Sequence, residues 1–477
     1  MTVTTKIAQN TVVQIIGRGI AVGIALITLA ITTRYLGTDG YGAYITIIAF
    51  IQIFSILADL GIQMTSVQSI SESGVDESKI LSNIFSLRVF TASIALILTP
   101  IIIFLFPYPI MIKIGVLIAA IAFFIAGLSS VFTGVFLKKL LMGRFTLTDI
   151  VQKVITLIVV ILAVYFNLGL YGILLALIIA NLFQFLLLFS FSQKLIKITW
   201  QIDFLIWKKI LSKSLPIVTT IALNLLYFKG DTVILSLFRS QQEVGLYGAP
   251  YRVLEVLINL IYLFLGLLLP LMTLYYTNKN WEALKKIIQL GYDIITLISF
   301  PLIVGGLFVG PKLMSFIAGE NYLISGHILK ILIPATIAIF FAAIFGYLIV
   351  AANQQKRVIK FYVANAIISL TLYLIFIPKY GYWAAAIITV FSELFILFSA
   401  IYVAQKIYRF KADLSLTKKS FLASMAMAIA LYFVVDLHVL FSMSIGASVY
   451  LVILYLLKGF SKEMIKEIMS FKKTPTN

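Results

Sequence analysis

The chain contains a series of apolar runs, each long enough to cross a bilayer. Spanning the hydrocarbon core takes about 20 mostly apolar residues, and backbone groups in lipid must be hydrogen-bonded within the segment, which favours helices. Breaks marked by charged residues, glycine or proline divide the chain into two sets of six runs and a final shorter pair. The runs lie near residues 12–35, 43–62, 81–106, 110–136, 145–166, 170–191, 215–238, 248–276, 287–309, 328–350, 358–378, 383–404, 421–435 and 439–457. The sequence therefore predicts an all-α polytopic membrane protein with about 14 transmembrane helices.

Composition agrees with this interpretation and removes several classes of site. Of the 477 residues, 62% are apolar and only 12% are charged, whereas about a quarter are charged in soluble domains. There are no cysteines and two histidines, so we expect no His/Cys metal site, no thiol nucleophile and no cofactor. We expect no catalytic residues and a protein that is not an enzyme.

The positive charges lie mainly on one side of the predicted membrane. With a cytoplasmic N-terminus, 26 Lys and Arg fall in inside loops and 5 in outside loops. Cytoplasmic loops are enriched in these residues, so the sequence predicts a plasma-membrane protein with both termini in the cytoplasm. Because these cations are spread over short loops, the net charge of +19 does not indicate nucleic-acid binding.

Two short matches indicate an internal duplication. The segment 41–44 recurs at 247–251 with one proline inserted, and the segments 169–171 and 181–183 match 381–383 and 393–395. Six helices per copy is an even number, so the copies are predicted to be parallel repeats around a central cavity. We therefore predict an N-lobe (1–192), an amphipathic cytoplasmic linker (193–214), a C-lobe (215–404), and a C-terminal region (405–477) with a basic linker, two helices and a tail.

Ionisable residues inside the apolar runs are candidates for function, because they are costly in lipid and must face protein or water. They are the cations Arg18, Arg34, Arg88, Lys153, Lys229 and Arg252, and the acids Asp59, Asp149, Asp231, Glu255, Asp293 and Glu393. Arg34, Asp59 and Asp293 lie near helix ends, where the interface can solvate them. Asp149 with Lys153, and Arg252 with Glu255, are spaced so that each can form a structural ion pair.

The remaining charges have no acid or base in helical register. Arg18 lies among Gly17, Gly19 and Gly23, which permit close helix approach or bending, and this favours a role facing a cleft. Lys229 and Asp231 point to different faces of one helix, so each needs a partner elsewhere. A guanidinium fork matches phosphate oxygens, and a membrane carboxylate such as Asp231 or Glu393 can exchange a proton or Na⁺.

The chain resembles a known family in several segments. The stretches 35–37, 40–44 and 59–61, and then 229–231, 243–247 and 251–252, resemble the O-antigen and polysaccharide flippases of the multidrug/oligosaccharidyl-lipid/polysaccharide exporter superfamily over about 400 residues. The resemblance implies alternating access for a polyprenyl-(pyro)phosphate-linked oligosaccharide, coupled to an ion gradient. It also implies that Arg18 and Arg252 meet the phosphate, with Arg88 and Lys229 as weaker counterparts. For H⁺ or Na⁺ coupling the candidates are the membrane carboxylates Asp231, Glu255 and Glu393.

The expected partners follow from the same resemblance. They are the lipid-linked substrate, membrane lipids and the polymerase machinery of O-antigen, lipopolysaccharide or capsule synthesis, with the protein itself a monomer. Two alternatives stay open. A multidrug exporter of the same superfamily would favour cavity carboxylates, and a glycosyltransferase or polymerase would need catalytic acids in a large outer loop. The longest predicted outer loop, 310–327, contains one acid, Glu320.

Overall fold

The computed structural model describes residues 3–71, 76–139 and 141–459, and these residues form helices joined by short connections. The helices are α1 (Val3–Asp59), α2 (Ile62–Ser71), α3 (Glu77–Phe104), α4 (Ile110–Ser130), α5 (Thr133–Lys138), α6 (Met142–Tyr165), α7 (Gly169–Gln193), α8 (Phe204–Phe238), α9 (Gln241–Thr277), α10 (Trp281–Ala318), α11 (Leu323–Ala351), α12 (Lys356–Ile407), α13 (Ser415–Val434) and α14 (Val439–Leu456). A 3₁₀ turn, Glu320–Tyr322, lies between α10 and α11. The tail beyond residue 459 lies outside the described residues.

The predicted number of spans agrees with the helices. Within the described residues, 11 helical stretches are long and apolar enough to cross a membrane. Two of them, in α1 and α12, are interrupted at Gly37 and Gly381, where φ is 64° and 57°. Each of these two stretches is therefore a pair of spans, which makes 13. α13 is not among the 11 stretches, and its 20 residues have the length of one further span. The all-helical fold class is confirmed.

One predicted loop is largely absent. Residues 310–327 were expected to form the longest outer loop, but α10 continues to Ala318 and α11 begins at Leu323. Pro301 and Pro311 are accommodated inside α10 and do not end it. The loop prediction was wrong because proline, which usually breaks soluble helices, is tolerated in membrane helices whose neighbours satisfy the freed backbone groups.

The described chain divides by its contacts into two compact units, residues 1–245 and 246–477. This boundary differs from the predicted linker at 193–214. In the first unit α8 packs against α1, α2 and α3, so the contacts assign α8 to the same unit as the helices that precede it.

The linker before α8 is fastened to α3 by a row of polar side chains. Ser78 and Ser86 donate to the carbonyls of Lys197 and Gln201, and the Ser82 hydroxyl accepts the Thr199 N–H at 3.0 Å. The three serines are four residues apart in α3, a rise of about 6 Å along the helix axis. Their partners are two residues apart in the linker, which is about 6.7 Å in an extended chain. The two spacings match, so every second linker residue lies beside the next turn of α3. We name Ser78, Ser82 and Ser86 the serine ladder. Through these hydrogen bonds the linker is docked on α3.

The same segment is held by its apolar side chains and by its last residue. Ile196 and Ile198 of the linker, and Trp207 in the first turn of α8, are buried in the core of the first unit with residues of α3 and α5. Asp203 caps α8 and also approaches Lys79 at 3.4 Å. The hydrogen bonds from the Ile206 and Leu205 N–H groups, with Lys79, hold the pKa of Asp203 below its usual value.

A close helix crossing in the first unit involves the segment 40–44. A Cβ at Gly42 would overlap the Gln241 carbonyl, and a Cβ at Gly245 would overlap the Thr38 carbonyl. The crossing is fastened by Thr46, whose hydroxyl donates to the Gln241 side chain at 2.7 Å. Glycine at both positions therefore lets two backbones touch.

We expect Gly42→Ala to destabilise the protein by about 1–3 kcal/mol, because the added methyl meets a backbone that cannot move alone. The matched control is Gly346→Ala in α11, where a Cβ would meet no atom within 4 Å. There the gain in helix propensity leaves stability unchanged or slightly higher. The stability of both variants is measured by thermal unfolding in detergent. If Gly42→Ala unfolded at the same temperature as Gly346→Ala, the close backbone contact at Gly42 would be contradicted.

The second unit has a core between α9, α10, α11 and α12 that includes Leu265, Ile288, Ile344 and Leu348. Helices α13 and α14 pack against α10 through a smaller cluster that contains Ala423, Leu431 and Leu454. The final pair of helices is thus part of the second unit.

The positions matched between the two repeats have similar structural roles. Gly169 and Gly381 both adopt a left-handed φ, of 60° and 57°, at the start of their segments. Tyr41 and Tyr247 are both buried, at 2% and 0% exposure. The backbone needs glycine at the first pair of positions, since L-residues rarely adopt this conformation.

Candidate functional site

Arg18 lies on a face of α1 that is partly open. Beside it, Gly17 packs against α6, where a Cβ would meet Thr146. A Cβ at Gly19 or Gly23 would meet no atom within 4 Å. Among the described residues, partly exposed Arg18 forms no hydrogen bond or ion pair. Its guanidinium is therefore not used by another described residue, and its role in a cleft stays a prediction.

Arg88, in contrast, is enclosed by protein oxygens. It is 5% exposed, and its Nη1 donates to the Ala58 carbonyl and to Asp59 Oδ1, each at 2.7 Å. Its Nε donates to the Gly127 carbonyl at 2.9 Å, and Nη2 to the Ser130 hydroxyl at 3.2 Å. Arg88 is directed at protein groups, and it is not among the phosphate ligands that we propose below.

The physical reason for this arrangement is the position of the two helix ends. α1 ends at Asp59 and α4 ends at Ser130, so the carbonyls of Ala58 and Gly127 belong to last turns that lack helical donors. These ends carry partial negative charge, and a cation there is stabilising. The buried guanidinium of Arg88 therefore donates hydrogen bonds to the carbonyls at two helix ends and to the Asp59 carboxylate.

The Arg88–Asp59 pair lies in the lining of a cavity of about 370 Å³ within the first unit. The lining comes from α1, α3, α4 and α8 and is mostly apolar, including Phe54, Leu96 and Phe123. Arg88 and Asp59 are its charged members. Their charges neutralise each other, so this cavity wall is close to neutral.

The predicted ion pair on α9 forms. Arg252 Nη1 lies 2.7 Å from Glu255 Oε2, and the two side chains are 49% and 17% exposed. Part of the Arg252 charge is therefore balanced on its own helix. The second predicted pair differs: Asp149 and Lys153 are both partly exposed, and no ion pair joins Asp149 to Lys153 in the part of the chain that the structure describes.

Two acidic residues are buried within the spans. Asp231 is fully buried and accepts hydrogen bonds from the N–H and the hydroxyl of Thr232. Lys229, two residues earlier, is partly exposed, as expected for a different face of α8. Because a carboxylate is costly to bury, Asp231 is either neutralised or balanced by a cation.

The other buried acid, Glu393 on α12, lies in a polar region of the second unit. It is 3% exposed and within electrostatic range of Tyr262 and Tyr362. Its neighbour Ser392 accepts a hydrogen bond from Asn365 at 2.8 Å. In the first repeat, Asn181 occupies the matched position and is bonded to Gln152 at 3.0 Å. A carboxylate thus replaces an amide at this position of the second repeat.

Some buried polar residues of the structure were not predicted from the sequence. Asn365 and Ser369 are fully buried in α12, and Asn365 accepts from Ser369 at 3.3 Å. The serine ladder was also missed. The available signal was polar residues at helical spacing inside or beside apolar runs, which is weak because single serines are common in membrane helices.

The chain was compared with models of known protein families. A model described as "Polysaccharide biosynthesis protein" matches residues 7–275, more than half of the chain. The chain belongs to the polysaccharide biosynthesis protein family. This confirms the resemblance found in the segments 35–61 and 229–252.

A curated relative of this polysaccharide biosynthesis protein is the probable low-salt glycan biosynthesis flippase Agl15 of Haloferax volcanii. The two are 23% identical over 162 residues, which is 34% of this chain and 34% of that relative. The match therefore spans about a third of the relative's length.

Solved structures share the fold. A lipid II flippase MurJ in an inward closed conformation superimposes with a TM-score of 0.77 at 15% identity, covering 95% of this chain and 100% of that one. An inward-facing multidrug resistance MATE family transporter of the MOP superfamily gives 0.62 at 13% identity, covering 86% and 96%. The polysaccharide biosynthesis protein therefore has the fold of these multi-pass membrane transporters.

Proposed function

We propose that this protein is a flippase that moves a polyprenyl-(pyro)phosphate-linked oligosaccharide from the cytoplasmic to the outer leaflet by alternating access. The observation that carries the proposal is Arg18, a cation on an open face of a membrane helix with no acidic partner among the described residues. Family membership supports it, as do the flippase names of the Haloferax relative and the lipid II flippase.

Phosphate is the ligand that suits Arg18 best. A guanidinium donates two parallel hydrogen bonds to phosphate oxygens, and this attraction is stronger where water is excluded. Lys229, in the same unit as Arg18, can contribute a point charge. In the second unit we propose Arg252 as a phosphate contact in its own right, weakened by Glu255. The sugars would be held by scattered polar and aromatic side chains.

Ion coupling is proposed for Asp231 and Glu393. Both are buried, so uptake of H⁺ or Na⁺ would change the local charge strongly and favour one conformation over another. Glu255 is less suited, because Arg252 already balances it at 2.7 Å. We propose no resident cofactor.

The proposed setting is the plasma membrane, with both termini in the cytoplasm, as the loop charges predict. O-antigen, capsule or another surface polysaccharide would be the product, and polymerase machinery the downstream partner. We propose that the flippase acts as a monomer.

A multidrug exporter is the second candidate. The buried acids Asp231 and Glu393 favour it, because carboxylates attract cationic drugs, and the fold is shared with MATE transporters. The proposal of a glycosyltransferase or polymerase lacks comparable support, since α10 and α11 leave little loop at 310–327 for catalytic acids.

The deciding experiment uses the purified protein in liposomes that contain a fluorescent polyprenyl-pyrophosphate disaccharide. We expect a membrane-impermeant reductant to bleach label in both leaflets, whereas protein-free liposomes lose only the outer label. An imposed H⁺ or Na⁺ gradient should change the rate. Transport of a cationic dye without movement of the labelled lipid would instead support the exporter.

A further inference from the structure

A groove in the second unit lies where the two ends of α12 come together. The helix folds back at Gly381, and the rings of Phe361 and Tyr402 meet edge to face with centroids 6.0 Å apart. The groove has a volume of about 970 Å³. Its lining residues are Arg357, Phe398, Ile401, Tyr402, Gln405, Lys406, Ile407 and Arg409.

The charges at this groove all have the same sign. Arg357, Lys406 and Arg409 line it, and Lys360 lies within electrostatic range of Tyr402. Among the described residues, none of the four forms an ion pair with an acid. Lys406 instead donates to the Tyr402 hydroxyl at 2.6 Å. Cations gathered without acids repel one another unless an anion neutralises them.

Apolar side chains continue from the groove along both arms of α12. Phe398 is 65% exposed and Phe391 45% exposed, at helical spacing from Tyr402. On the other arm, Ile367 is 62% exposed, two turns from Lys360. The surface is therefore cationic at one end and apolar along its length, which matches a phosphate headgroup with acyl chains.

We propose that this groove binds an anionic phospholipid of the cytoplasmic leaflet, with its phosphate between Arg357 and Arg409 and its chains along Phe398 and Ile367. The loop charges predict that this end of α12 is cytoplasmic, and basic pockets between helices on that side suit anionic headgroups. A soluble anion would leave the apolar stripe uncovered. The proposal concerns binding at the second unit and does not depend on the transported substrate.

The test compares phosphatidylglycerol with phosphatidylcholine of the same chains, added to the purified full-length protein in detergent and followed by native mass spectrometry. We expect preferential retention of phosphatidylglycerol. The double variant Arg357→Gln/Arg409→Gln should weaken its binding by about 25-fold, since each cation near the headgroup contributes a factor of about 5. Both side chains are exposed, so the variant should fold.

The matched control is Lys279→Gln/Lys285→Gln, which removes the same charge from exposed positions of the second unit outside the groove. It should retain phosphatidylglycerol like the unmodified protein. Equal loss in both double variants would overturn the proposal, because binding would then follow net charge alone. Displacement of the lipid by millimolar inorganic phosphate, or by stoichiometric polyprenyl pyrophosphate, would also overturn it in favour of a soluble-anion or substrate site.

Discussion

Replacing Arg88 by methionine is expected to destabilise the protein by about 2–3 kcal/mol, because a partly buried carboxylate and two helix-end carbonyls each lose a charged hydrogen bond. The variant removes one donor from the carbonyls of Ala58 and Gly127, which keep the hydroxyls of Thr91 and Ser130. It also removes the arginine that pairs with the partly buried Asp59 carboxylate. Methionine fills much of the same volume, so the loss reports hydrogen bonding rather than a cavity. Thermal or denaturant unfolding in detergent measures it.

Three further variants make this prediction specific. Arg88→Lys keeps the charge but not the fork, so it should be less stable than the unmodified protein and more stable than Arg88→Met. Adding Asp59→Asn to Arg88→Met should restore part of the loss, because the uncompensated carboxylate is removed. Arg144→Met, at an exposed position of the same unit, should be near neutral. A stable Arg88→Met protein that loses transport would show that Arg88 binds substrate instead.

The second large effect is expected for Arg18→Ala. If Arg18 binds the phosphate of the substrate, translocation of the fluorescent lipid in liposomes should fall by at least about tenfold, since a charged hydrogen bond is worth about 1.5–3 kcal/mol. The unfolding midpoint should stay close to that of the unmodified protein, because no described residue pairs with Arg18. The effect is thus on transport and not on folding.

Two control substitutions distinguish phosphate binding by Arg18 from a general disturbance of α1. Ile20→Ala truncates an exposed side chain two residues away and should leave translocation unchanged. Arg18→Lys should retain part of the activity through its point charge. Normal translocation by the Arg18→Ala protein, at equal amounts in the membrane, would contradict the proposed site.

Arg18 and Arg88 have different surroundings in the structure, and the sequence alone does not distinguish them. Both are arginines inside apolar runs, and their immediate sequence neighbours indicate no partner for either. Asp59, the partner of Arg88, lies 29 residues earlier and was interpreted as a residue solvated at a helix end. The pair at Arg252 and Glu255 could be predicted, because a spacing of three residues on one helix brings side chains together without knowledge of packing.

The helical segments, and their length relative to a bilayer, could be predicted from the sequence alone. Lipid requires each segment to satisfy its own backbone hydrogen bonds, so this property is local and readable from apolar length. Three features emerged only with the folded chain: the neutralisation of Arg88 by Asp59, the docking of the linker on the serine ladder, and the cationic groove at the ends of α12. These depend on contacts between residues far apart in the chain, which neither hydropathy nor helical spacing encodes.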